Sequence, residues 1–322
     1  MKILLVILAV LVGLLIVVES GLRLLFGFGN PPIYIADPEI GYLLAPNQRT
    51  RRFGNRIVIN QYSMRSPAIA PQREASTLRL LLLGDSIANG GWWTDQGDTL
   101  SALMTQQLQL TQSSYRQVEV LNASANSWGP RNELAYLNRF GAFEAQAVVL
   151  LINTDDLFAT APTAVPVGRD RNYPDRKPFL KLALAEIFSR YLAKPPAIPE
   201  LKTVNAEGGD RVGFNLEAIE QIKRLVEATG AKFLLAMTPL KREIGEPGSR
   251  DYELKARSRL VEFTKNQQIT YVDFLPIFND TQMPETLYHD HIHLSPQGYR
   301  LINEVIGRSL QILLSQTTNS AP

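Results

Sequence analysis

The sequence predicts an α/β protein: a parallel β-sheet covered by helices on both faces, preceded by one apolar N-terminal helix. Five short apolar runs carry the first part of this reading: "LRLLLLG" (Leu78 to Gly84), "QVEVLN" (Gln117 to Asn122), "AVVLLI" (Ala147 to Ile152), "KFLLAM" (Lys232 to Met237) and "ITYVDF" (Ile269 to Phe274). Continuous apolar runs of strand length suit strands buried on both faces. Amphipathic stretches alternate with them, around Thr99 to Leu110, Asn132 to Phe140, Leu216 to Thr229, Tyr252 to Gln267 and Pro296 to Leu314. That alternation is the pattern of a parallel sheet wound by helices.

The N-terminal element comes first in the chain. "MKILLVILAVLVGLLIVVES" places Lys2 before an unbroken apolar run from Ile3 to Val18, followed by Glu19 and Arg23. Such a run reaches about 24 Å as a helix, a little short of a hydrocarbon core of about 30 Å, and "GLRLLFGFG" can extend it along the interface. The residues after Val18 lack the small-residue pattern of a cleavage site. Residues 1–26 therefore read as an uncleaved membrane anchor, with a cleaved signal peptide and a buried core helix as the alternatives. With Lys2 held in the cytoplasm, the rest of the chain lies on the extracytoplasmic (periplasmic) side.

Residues 27–76 read as a membrane-proximal lead-in, rich in Pro, Gly, Asn and Arg from residue 31 onward, with short β-prone pieces such as "RIVI" and no helical periodicity. The main domain is expected over 77–316 and a flexible tail over 317–322. An insertion at about 159–213 interrupts the domain with "TAPTAVPVGRDRNYPDRKP", a possible helix "FLKLALAEIFSRYL", and "AKPPAIPEL". It is either an ordinary surface excursion or a lid that shapes a substrate site, lying over the carboxyl edge of the sheet or against the membrane.

Composition excludes several classes. The net charge is +2, from 33 basic and 31 acidic residues, and the longest basic run is "RTRR" at Arg49 to Arg52. Nucleic acid is thus not an expected partner, because phosphate binding needs clustered cations. With no cysteine, disulfides, thiolate nucleophiles and cysteine-ligated metals are impossible.

In doubly wound sheets the ligand site lies beyond the carboxyl ends of the strands, and four short motifs fall there. "GDS" (Gly84 to Ser86) ends the first run, "NASANSWG" (Asn122 to Gly129) follows the second, "INTDDL" (Ile152 to Leu157) follows the third, and "YHDHIHLSPQGY" (Tyr288 to Tyr299) precedes the last helix. Ser86 stands where a hydroxyl could act as a nucleophile, although Asp85 or Ser86 could equally be a helix cap. The second and third motifs could supply oxyanion donors, or simply form turns. The fourth holds all three histidines of the chain, His289, His291 and His293. On an extended strand they could converge on a metal; alternatively the loop is purely structural, or one imidazole is a base. His293 alone has an aspartate, Asp290, three positions before it to hold one tautomer.

Taken in order, "GDS", "NASANS", the Asn/Asp-rich turn and "DHIH" resemble the four blocks of the SGNH (GDSL-type) hydrolases, over roughly Leu78 to Leu314. The resemblance implies a three-layer α/β/α fold with five parallel strands in the order 2-1-3-4-5, and ester hydrolysis or acyl transfer without metal or cofactor. It implies Ser86 as nucleophile, His293 as general base and Asp290 as its orienting partner, with the Ser86 N–H in the oxyanion hole. Two positions depart from the family pattern. Ser127 replaces the usual glycine of the second block, and Asn153, Thr154, Asp155 and Asp156 align with Gly-x-Asn-Asp, so that Asp155 stands at the oxyanion asparagine. Either burial protonates Asp155 so that it donates as an acid, or Asn153 supplies the amide through a shifted loop, or activity is weak or lost. The expected substrates are acyl esters of envelope or exported polysaccharide, or else of lipid. A catalytically silent glycan-binding protein is the rival class.

Overall fold

The computed structural model describes residues 1–318. Helix α1 (Lys2–Phe26) ends where Gly27 enters the left-handed region at φ 75°, so that the Gly27 N–H bonds Arg23 O. A Cβ at Gly27 would stand 2.0 Å from Arg51 O, which no side chain could accommodate. None of the α1 residues is buried, which rules out the buried core helix among the readings of this segment.

Two hairpins follow. Strands β1 (Tyr34–Asp37) and β2 (Gly41–Leu44) form one, β3 (Gln48–Arg52) and β4 (Asn55–Ile59) the other. The second turns on Phe53 and Gly54, both at positive φ, the turn that matches strand twist. Ile57 and Ile59 of the expected "RIVI" strand are buried.

The central sheet comprises β5 (Thr77–Gly84), β6 (Gln117–Ser124), β7 (Ala147–Asn153), β8 (Lys232–Thr238) and β9 (Thr270–Asp273), all parallel, in the order β6-β5-β7-β8-β9. This is the order 2-1-3-4-5. Its helices are α2 (Ser86–Asn89), α3 (Leu100–Thr111), α4 (Pro130–Phe140), α5 (Ala183–Ile187), α6 (Pro199–Asn205), α7 (Arg211–Ala228), α8 (Asp251–Asn266), α9 (Phe274–Asn279) and α10 (Pro296–Thr318). Alternation along each strand divides the core in two. Leu81, Leu83, Val148, Leu150 and Leu235 pack under α4, α7, α8 and both hairpins. Leu80, Leu82, Val149, Leu151 and Leu234 pack under α3, α9 and α10.

Three boundaries differ from the sequence reading. The stretch "FLKLALAEIFSRYL" is not one helix: Leu180 and Lys181 sit at positive φ, α5 is a short turn, and Phe188–Leu192 widens into a π turn. Helix α6 occupies part of the stretch read as irregular. Helix α7 starts at Arg211 because the Asp210 carboxylate accepts the Gly213 N–H at 3.0 Å, so the insertion closes earlier than expected. Helix α10 runs through Thr318, and residues 319–322 of the expected tail lie outside the described residues.

Candidate active site

Each of the first three strands of the sheet ends in a polar turn, and the turns converge on one cavity of about 560 Å³. A larger cavity of about 720 Å³ lies at the opposite, amino end of the sheet, lined by Tyr115, Glu144 and Lys232, far from any candidate nucleophile. At the carboxyl edge, β5 stops at Gly84, where a Cβ would lie 2.5 Å from Leu151 O. Glycine there lets β5 press against β7 and turn sharply. Asp85 then caps α2 by accepting the Ile87 N–H at 2.8 Å. Ser86, the first residue of α2, precedes every intrahelical acceptor, so its N–H is free to donate.

Ser86 Oγ lies 2.9 Å from His293 Nε2, and His293 Nδ1 lies 2.7 Å from Asp290 Oδ2. The second carboxylate oxygen, Asp290 Oδ1, accepts the N–H groups of Ile292 at 2.9 Å and His293 at 2.8 Å. Partial burial pushes the Asp290 carboxyl up. The Ile292 N–H, the His293 ring and the His293 N–H outweigh this and hold it at about 2, so Asp290 is ionised and the His293 Nδ1 carries the proton.

The loop bearing these groups is closed on itself. His289 N–H bonds His293 O at 2.8 Å, Ser295 N–H bonds Leu287 O at 2.9 Å, and the Tyr288 hydroxyl bonds Pro239 O at 2.5 Å. The three imidazoles diverge: the His291 side chain is 85% exposed, whereas His289 stacks on Trp93 with ring centroids 5.1 Å apart. Trp93 also sets its edge against His293 at 4.7 Å. The Trp93 loop is organised from beneath by Arg65, a fully buried cation that donates to the carbonyls of Asn89 at 2.8 Å, Thr94 at 2.5 Å and Gly91. Burial pulls its guanidinium down to about 10.

The turn after β6 places Ser127 in the cavity wall at φ 58°, the backbone region that favours glycine. Its Oγ accepts the Tyr173 hydroxyl at 2.9 Å, a tie between this turn and the insertion. After β7, Asn153 is buried and its amide is fully engaged. Nδ2 donates to Asp85 Oδ2 and to Asp156 Oδ2, each at 2.9 Å, while Oδ1 accepts the Asp155 N–H at 2.7 Å. Asp155 faces the cavity; its carboxyl is raised by partial desolvation, with Arg242 opposing and Glu253 and Glu243 adding.

Behind Ser86, burial pushes Asp85 up to about 6 and drives Asp156 and Glu133 well above the carboxylate range. Both carboxyl oxygens of Glu133 are buried without a protein partner, as suits a neutral acid. Asp85 was visible in the sequence as a cap, and its link to Asn153 and Asp156 was not. Tyr42, Trp93 and Tyr173 come to the site from the lead-in, a loop and the insertion, and no local sequence signal marks them.

A serine hydroxyl, an imidazole and an ionised carboxylate in hydrogen-bonded series, at the carboxyl edge of a doubly wound sheet, define the serine-hydrolase class. The model of the GDSL-like lipase/acylhydrolase family matches residues 82–301. The chain belongs to that family of ester hydrolases. Among solved structures it is similar to the acetylxylan esterase Axe2 of Geobacillus stearothermophilus, at 15% identity and a TM-score of 0.49 over 72% of this chain and 93% of that one. An α/β hydrolase from the Lake Arreo metagenome gives 14% identity and 0.49 over 73% and 95%. A G-D-S-L-family protein of Desulfitobacterium hafniense gives 15% and 0.42 over 72% and 99%. A comparison with curated proteins finds no match.

Proposed function

We propose that this protein cleaves or transfers ester-linked acyl groups by a serine mechanism, acting on envelope or exported polysaccharide from a membrane-anchored position. The observation that carries the reading is the relay from Ser86 Oγ through His293 to Asp290, at 2.9 and 2.7 Å. His293 Nε2 takes the Ser86 proton as Oγ attacks the acyl carbonyl; Asp290 stabilises the imidazolium and fixes its orientation. The N–H groups of Ser86 and Ser127 face the developing oxyanion, with Asn153 and Asp155 at its margin. His293 then gives its proton to the departing alcohol. Water, or a second hydroxyl in the case of transfer, attacks the acyl-serine in the reverse sequence.

The cavity supports a glycan more than a lipid. Asn205, Thr160, Thr163 and Arg211 offer hydrogen bonds, and Phe158 and Tyr173 offer ring faces, the mixture that sugars require. Helix α1, with 25 residues, a mean hydropathy of 3.0 over its most apolar 18 residues and no burial, supports an anchor, and Lys2 supports an extracytoplasmic domain.

One observation favours a silent binding protein instead: the Asn153 amide nitrogen is held by the carboxyl groups of Asp85 and Asp156. One experiment decides between the two. The purified chain is expected to hydrolyse an aryl acetate and to be labelled by a fluorophosphonate, both lost in Ser86→Ala. Absence of turnover and labelling in the unsubstituted chain would establish the binding reading.

A further inference from the structure

The insertion meets the anchor at a defined depth. A hydrocarbon core of about 30 Å takes about 20 residues of helix, which on α1 runs from Ile3 to about Leu22. Glu19 therefore lies in the last turn of the span, where a carboxylate needs partners. It receives the N–H groups of Ala183 at 2.7 Å and Leu184 at 3.0 Å, at the start of α5, and the Arg23 guanidinium at 2.7 Å. Arg23 in turn donates to the carbonyls of Leu180 at 3.0 Å and Lys181. Residues 180–184 are thus held level with residues 19–23, at the outer edge of the apolar span.

Around these contacts the insertion presents exposed apolar side chains, of which Tyr191 sets its ring 6.4 Å from that of Phe28 just past α1. Phe179 is 76% exposed, Leu180 70%, Phe188 61%, Tyr191 53% and Leu192 71%, beside the exposed Leu24 and Leu25 of α1. Such a cluster is the signature of an interaction surface. Of the seven basic residues between Arg169 and Lys194, Arg169 pairs with Glu200, Arg190 with Glu186, and Lys177 donates to Pro31 O; Arg171, Arg176, Lys181 and Lys194 are exposed, a group suited to anionic headgroups.

We infer that residues 179–192 form an interfacial element that lies in the outer boundary of an anionic bilayer, its apolar side chains among the upper acyl chains, with Lys181 and the flanking Arg171, Arg176 and Lys194 at the phosphates. The inference rests on the reading of α1 as a membrane anchor. Because Leu201 and Val204 of the same insertion line the cavity, this contact also holds one wall of the site at a fixed height above the membrane.

The cysteine-free chain permits a direct test on the full-length protein, with single-cysteine variants Val10→Cys, Phe188→Cys, Leu192→Cys and Leu110→Cys carrying an environment-sensitive fluorophore. Leu110, 86% exposed, lies at the opposite end of the sheet and is the control. Vesicles of phosphatidylethanolamine and phosphatidylglycerol carry quenchers either near the head or near the middle of the acyl chain. Expected are blue-shifted emission at Phe188 and Leu192 with quenching by the shallow lipid, at a depth of about 5–10 Å, deep quenching at Val10 and none at Leu110. Deep quenching at Val10 with Phe188 and Leu192 behaving like Leu110 overturns the interfacial element and leaves the anchor standing. Loss of quenching at Val10 overturns the anchor, and the inference with it. Since all four positions are exposed, melting temperatures equal to the parent's verify the fold of each variant.

Discussion

Asp290 has separate tasks on its two oxygens, and this makes its substitution informative. Oδ1 holds two backbone N–H groups of the loop and Oδ2 holds the His293 ring. In Asp290→Asn the amide oxygen can keep the loop while the amide nitrogen faces His293 Nδ1, which must then accept rather than donate. The ring proton moves to Nε2, where it cannot receive the Ser86 proton. Ester hydrolysis is expected to fall about 10⁴-fold with little change in melting temperature; a large thermal loss with a small rate effect would show a structural role only. The carboxyl also links stability to pH. Its folded value of about 2 lies below the ordinary 3.8, so its contribution is present above the ordinary value and is lost as pH falls through about 2. At the oxyanion margin, Asp155→Asn is expected to maintain or raise kcat, since it replaces a carboxylate by a donor while the Asn153 amide stays committed to Asp85 and Asp156. A strong fall in kcat would assign the carboxyl a task of its own. The Asp290–His293 pair was legible from its spacing of three residues. Which histidine faces Ser86 was not, because it depends on the hydrogen bonds that close the loop.

The turns that end β5, β6 and β7 are local features, and their sequences announce them: Gly84 for close approach, Asp85 for a cap, Asn and Asp for tight polar turns. The insertion announces only its length. Its proline-rich pieces carry no periodicity, and "FLKLALAEIFSRYL" reads as a helix by composition yet breaks at Leu180 and Lys181, where its end is tied to Arg23 and Glu19. Tyr173 shows how the insertion acts on the site, with its hydroxyl on Ser127 Oγ and its ring 5.0 Å from that of Tyr42. Removing the hydroxyl in Tyr173→Phe costs about 1 kcal/mol of stability and frees the wall of the cavity. The expected result is a raised KM for a glycan ester with kcat nearly unchanged. A fall in kcat with KM unchanged would place Tyr173 in the chemistry instead.

At the scale of the whole molecule, the lead-in, the insertion and the end of α1 meet at one buried joint. Glu186 Oε1 lies 2.5 Å from Arg52 Nη2, with both side chains at most 4% exposed, and Oε2 accepts the Gly29 N–H at 2.7 Å. Arg52 is sandwiched near Phe28 at 4.6 Å and Phe53 at 5.0 Å. Glu186→Ala leaves the Arg52 charge buried without its carboxylate and is expected to destabilise the fold by about 3–5 kcal/mol, read as a lowered denaturation midpoint; a change below about 1 kcal/mol would mean that water reaches the joint. The sequence by itself determined the apolar helix, the five strands and their winding, and the four motifs at the carboxyl edge, because each is written in residues close together in the chain. Tertiary structure alone decided that the Asn153 amide is spent on the carboxyl groups of Asp85 and Asp156, that only one imidazole meets Ser86, and that residues 180–184 are tied to the end of α1. Those outcomes depend on side chains as far apart as Glu19 and Leu184, or Ser86 and His293, whose meeting no local pattern records.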